Sequence, residues 1–105
     1  AVYQAITKID TAEYTVENSD FTILADVSNN SICLTLPPAP AHRGRVLHIK
    51  LMQSEKYSIK ANKLVLKSAG GLIDMFEDLT LTMARSSRTL QSDGTDWWVI
   101  NGRGS

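Results

Sequence analysis

The side chains able to do covalent or metal chemistry are few: Cys33, His42 and His48 are the only cysteine and histidines in the chain. A thiolate nucleophile needs an imidazole base beside it, and a structural zinc site needs ligands paired at short spacings. Cys33 and His42 lie nine residues apart and His48 six further on, with no Cys-x-x-Cys or His-x-x-x-His pair. In Ile32-Cys33-Leu34-Thr35-Leu36 the alternation sets Cys33 with Thr35 against the apolar face, as a small packing residue. A lone cysteine forms no internal disulfide, so packing must hold the fold. Carboxylates cluster in Asp74, Glu77 and Asp78 and again in Asp93 and Asp96. A glycosidase uses a carboxylate pair across a deep groove, whereas these fall in turn-rich segments where acidic residues are simply good turn formers. Gly70-Gly71 and Gly102-Arg103-Gly104 form no phosphate loop and read as turn and tail. The expectation is a protein that is not an enzyme, with no cofactor and no metal site.

Aromatic rings remain as candidates for ligand contact, because sugars stack their apolar faces on exposed rings. Trp97 and Trp98 are adjacent on an extended run and must point to opposite faces; one joins the core and the other packs at a subunit contact or lies exposed. Tyr57 follows Lys56 at the start of a run and is a candidate surface ring. Trp98 and Tyr57 are therefore the candidate ligand-binding residues, with core or interface packing as the competing reading. Met75 and Phe76, bracketed by Asp74, Glu77 and Asp78, are large apolar side chains in an expected connection. Such a pair either marks a partner surface or folds back on the domain's own core, and the first reading makes it a candidate oligomer interface.

The elements that must position these residues are strands. Period-2 alternation recurs along the chain, predicting strands over residues 3–7, 14–16, 21–26, 32–36, 45–51, 57–61, 64–67, 79–83, 88–91 and 97–100. Apolar faces such as Phe21, Ile23 and Ala25, or Leu47, Ile49 and Leu51, or Leu79, Leu81 and Met83 oppose polar ones. That pattern is expected of antiparallel sheets wet on one side. The fold class expected is all-β: short antiparallel strands in a sandwich, barrel or prism. Pro37 and Pro38 end one strand, and Asp93-Gly94 between two strand runs predicts a hairpin closed by a type I′ turn. The only candidate helical turn is at residues 74–78.

Chain length of 105 residues fits one domain with a modest core. Eleven basic and eleven acidic residues balance, so overall charge asks for neither nucleic acid nor an anionic membrane. The distribution is uneven, with only Lys8 basic in residues 1–36 and seven basic residues against Glu55 in residues 43–67. Complementary packing or a solvated face accounts for this more simply than a nucleic-acid patch. No apolar run reaches the roughly 20 residues that span a bilayer. The start, Ala-Val-Tyr-Gln, has neither a signal-peptide pattern nor an initiator Met, which suggests a processed chain or an excised domain. Asn29-Asn30-Ser31 matches a glycosylation acceptor and reads as an ordinary turn.

The order of segments is informative as a set. Tyr14-Thr15-Val16, residues 20–26, Ile32-Cys33-Leu34-Thr35-Leu36-Pro37-Pro38-Ala39, Gly44-Arg45 leading to Ile49-Lys50, and residues 90–95 followed by Trp97-Trp98-Val99-Ile100 together resemble a domain recurrent in bacteriophage tail fibres and head fibres. The likeness covers most of residues 14–101 and fades between Ser54 and Glu77. It implies a β-rich, non-enzymatic virion component, commonly trimeric, used for structure or host attachment. Its partners would be sister copies, other virion proteins and a host surface glycan or receptor. The alternative is a carbohydrate-binding module of a secreted or cell-surface bacterial protein, with Trp98 and Tyr57 as stacking platforms; an enzyme acting on surface polysaccharide is a third class.

Overall fold

The first six strands of this chain alternate between two sheets. A computed structural model describes residues 4–52, 62–83 and 85–103. The strands are β1 (Ile6–Ile9), β2 (Glu13–Thr15), β3 (Thr22–Asp26), β4 (Ile32–Leu36), β5 (Val46–Met52), β6 (Leu64–Ser68), β7 (Asp78–Leu81), β8 (Ser87–Ser92) and β9 (Trp97–Arg103), with a short 3-10 turn at Ala39–Ala41. One sheet has the order β1-β3-β5-β8-β9 and the other β2-β4-β6-β7. β1, β3 and β5 run parallel, as do β2, β4 and β6. The first six strands thus wind as stacked coils, each giving one strand to each sheet. β7 closes one sheet antiparallel, and β8 and β9 close the other as an antiparallel hairpin.

All-β character holds, but both sheets are mixed rather than antiparallel, with four parallel and three antiparallel strand pairings among the described residues, and neither sheet closes into a barrel. The alternation that suggested antiparallel strands reports only that one face of each strand is wet. Parallel strands need a crossover, and here the crossover is a strand of the opposite sheet rather than a helix.

Packing follows from register. Ile23 pairs with Ile49, Ala25 with Leu51, Ile32 with Leu64 and Leu34 with Leu66. All eight side chains are buried in one core cluster that also takes Val27, Leu36, Leu47, Ile73, Leu81, Leu90 and Trp97. Leu81 joins that core, whereas Met83, expected on the same face, lies past the end of β7 and is 53% exposed. Trp97 is the tryptophan that enters the core, and its indole N–H donates to the Pro37 carbonyl at 2.9 Å. Among the described residues no buried side-chain nitrogen or oxygen lacks a partner.

Turns depart from expectation in two places. β8 and β9 are joined by residues 93–96, and of these only Gly94 has positive φ, at 92°, so this is not a type I′ turn. The Asp93 carboxylate takes the Thr95 and Asp96 amides, both at 2.8 Å, which favours a longer Asx-type loop. Residues 74–78 hold no helical turn: Asp74 and Met75 have φ of 52° and 73°. Ile73 and Phe76 exchange two backbone hydrogen bonds of 2.8 Å around them. The tight turn with two left-handed central residues is therefore here, built without glycine. The strand expected over residues 57–61 lies outside the described residues.

Leu34→Ala, at a fully buried position of β4, should lower unfolding stability by about 3 kcal/mol, as leucine truncations in cores do. A urea midpoint within a few tenths molar of the parent would show that the two-sheet core is loosely packed.

Candidate functional site

The densest side-chain network lies at the corner between β2 and β3. Asp20, 7% exposed, accepts from the Thr7 hydroxyl at 2.8 Å, the Tyr14 hydroxyl at 2.6 Å and the Glu17 amide at 2.8 Å. One guanidinium nitrogen of Arg45 donates to the Glu17 and Asp20 carbonyls at 2.6 and 2.9 Å. Burial alone would raise the Asp20 carboxyl; the Tyr14 hydroxyl, the Glu17 amide, the Thr7 hydroxyl and the Arg45 charge outweigh it and hold the carboxyl below its usual value. Tyr14 is pushed up to about 12, first by burial and then by its bond to the Asp20 carboxylate. Three donors converge on the Asp20 carboxylate and Arg45 bonds the carbonyls beside it, so the network ties the first coils together. Arg45 beside Asp20 is also where the basic middle of the chain meets its acidic beginning.

The nucleophile and metal candidates are kept apart. Cys33 is half-buried on the outer face of the β2-β4-β6-β7 sheet, between Glu13 and Val65 in the ladder. His48 is on the outer face of the other sheet, its Nδ1 and the Thr89 Oγ1 sharing a hydrogen at 2.9 Å. Among the described residues no group of three His, Cys, Asp or Glu side chains could hold a metal ion. The acidic loops serve as amide acceptors: Asp96 takes the Leu72 amide at 2.7 Å, and Asp74 takes the Val99 amide at 3.3 Å. Asp93 takes two amides and the Trp98 indole N–H, and these bonds, the Asp96 amide foremost, hold its carboxyl below the ordinary value.

Those bonds fasten residues 70–76 along the outer edge of β9. The Trp97 amide donates to the Leu72 carbonyl at 2.7 Å and the Asp74 amide to the Trp97 carbonyl at 2.8 Å. Gly71 is required where the two segments meet: its φ is 87°, and a Cβ there would collide with the Thr95 carbonyl oxygen. At the tip Met75 is 72% and Phe76 68% exposed. Leu72, in the segment that runs along β9, and Ile100, in β9 itself, are 40% and 55% exposed. The described residues include six large exposed hydrophobics, and these four lie in β9 or in the segment along it. Met75 and Phe76 are thus exposed on a strained turn rather than folded back on the core, and Leu72 is an addition that sequence reading missed.

Trp98 is half-buried on the outer face of the larger sheet, across from Gln91, with its N–H fixed at 2.8 Å to Asp93. Tyr57 lies outside the described residues. Compared with models of known protein families and with curated proteins, the chain matches none.

Two pH arms follow from the corner network. Asp20 has a lowered folded value, so its stabilisation is complete above the unfolded value of ~3.9 and disappears as pH falls through the folded one. Tyr14 has a raised value, so its share is complete below the unfolded value of ~10 and is lost as pH rises toward about 12. Tyr14→Phe should cost about 2 kcal/mol at neutral pH, flatten the alkaline arm and reduce the acid one. Urea midpoints measured from pH 2 to 11 in parent and variant check this, and parallel curves would detach both groups from the corner.

Proposed function

We propose that this chain is a non-enzymatic structural module of a bacteriophage virion, a tail-fibre or head-fibre type domain that works as a homotrimer in host attachment or virion decoration. The observation that carries this reading is the turn at Asp74 and Met75. Two non-glycine residues in the left-handed region cost on the order of 1–2 kcal/mol each, and the result is to hold Met75 and Phe76 out in water. Strain spent on exposing apolar surface makes sense when a partner covers it. With Leu72 and Ile100 alongside, the patch is a side-chain surface fit for packing against sister copies.

The order of motifs across residues 14–101 supports the virion assignment, and the wound sheets suit a module that bears load and presents flat faces. Three copies acting together turn weak single contacts into firm attachment through effective concentration. Trp98, held in place by Asp93 on a flat sheet face, favours the second reading, a carbohydrate-binding module of a secreted or cell-surface bacterial protein.

Sedimentation equilibrium at micromolar concentration should return three times the chain mass. Phe76→Ser should shift the protein toward monomer while leaving its far-ultraviolet circular dichroism unchanged. Met75→Gly should weaken assembly too, yet keep monomer stability within about 1 kcal/mol, because relief of the left-handed conformation offsets glycine's added unfolded-state entropy. A parent protein that sediments as a monomer, or variants with undiminished mass, would remove this surface from assembly.

A further inference from the structure

We infer that the outer face of the five-stranded sheet binds an acidic polysaccharide laid across the strands, which names the ligand class of the attachment function and rests on that reading. One register row carries Ile6, Thr22, His48, Thr89 and Asn101 over β1, β3, β5, β8 and β9 in turn. The next row carries Lys8, Leu24, Lys50 and Ser87. An open trough of about 240 Å³ over Thr22, His48, Lys50 and Thr89 meets another of about 320 Å³ over Ser87, Thr89, Asn101 and Gly102. The two share Ser87 and Thr89, so they form one path perpendicular to the strands.

The path has the chemistry of a sugar acid. Thr22, Thr89 and Ser87 offer hydroxyls that both donate and accept, and Asn101 offers an amide, matching ring hydroxyls. His48 is held by two neighbours, the Thr89 hydroxyl at 2.9 Å and the Phe21 ring at a centroid distance of 4.8 Å. Trp98 lies one row further along the same face and supplies a ring for stacking. Lys8 and Lys50 are exposed in one row with a single strand between them, hence ~9.6 Å apart at the backbone. That interval is close to the length of an extended disaccharide, so carboxylates two sugars apart along a polyuronate would meet both ammonium groups. Asp10 and Asp26 bound the row beyond Lys8, and Asp26 is tied to its own loop by the Ser28 amide at 2.9 Å. Lys8 acts on the Asp26 carboxylate much as Lys67 on the opposite sheet faces Asp78 across the ladder, so Lys50 is the lysine whose loss tests the charge contact.

The test is calorimetric titration with an oligogalacturonate and with its methyl ester, which keeps the sugar backbone and removes the charge. The acid form should bind, and the ester at least several-fold more weakly. Lys50→Gln and Thr89→Val should each weaken binding by roughly three- to tenfold, whereas Lys67→Gln on the other face should leave it unchanged. Failure of the acid form to bind, equal binding of acid and ester, equal losses from Lys67→Gln, or equal binding of inorganic polyphosphate would overturn the inference. Sedimentation of the same samples separates the two readings. A trimer that binds no oligogalacturonate sinks only this inference, and a monomer that binds it sinks only the assembly.

Discussion

In-register parallel pairing between strands two apart in the chain is the constraint on which everything else rests. Each coil must place one strand in each sheet, and the rows Ile23 with Ile49 and Leu34 with Leu66 bury only in that register. A slip of one residue would turn Thr22 and Leu24 inward and the isoleucines out. Corners enforce the register where the chain changes sheets. The Asp20 carboxylate gathers Thr7, Tyr14 and the Glu17 amide, and Arg45, arriving from the next coil, takes up the carbonyls of the same corner.

The β8–β9 hairpin and the segment before β7 finish the stack in a different way. Trp97 fills the core from β9 and reaches the Pro37 carbonyl, joining the last strand to the loop that follows the second coil. Along β9 the edge is occupied: Leu72 and Asp74 pair with Trp97, the Asp74 carboxylate takes the Val99 amide, and the Asn101 side chain takes the Gly102 amide at 2.9 Å. An edge blunted in this manner discourages strand addition. Beside this edge the turn between Ile73 and Phe76 leaves Met75 and Phe76 exposed. The other end of the stack, β1 and β2, is an edge in both sheets.

The larger sheet has two distinct faces. Its inner face is largely aliphatic, with Trp97 among the aliphatic side chains, and its outer face carries hydroxyls, an imidazole, amides and ammonium groups in rows that also hold Ile6, Leu24 and Trp98. Parallel in-register stacking produces such rows without special design, because residues at equivalent positions of successive coils align across strands. Repeated chemistry of this kind suits an extended polymer better than a compact substrate.

Strand positions were legible because period-2 alternation needs only one wet face and one dry face. Residues 32–36 match β4 end to end, and the runs beginning near Thr22, Val46 and Ser87 differ from β3, β5 and β8 by a residue or two. Exposure of Met75 and Phe76 was one of two readings that large apolar residues set among carboxylates left open, and the turn conformation decided it. Apart from the closing β8–β9 hairpin, antiparallel as expected, strand direction was not legible, since the alternation is the same whether a neighbour runs parallel or antiparallel. Nor was the placement of the left-handed turn: Asp93-Gly94 has the favoured composition, yet the Asp93 carboxylate captured nearby amides, while the β9 edge imposed positive φ on Asp74 and Met75. What the chain determined alone was which side chains are dry and where it must turn. Which strands meet, and hence which surface residues share a row or a patch, was decided by long-range pairing, because backbone hydrogen bonds between distant segments carry no local signature.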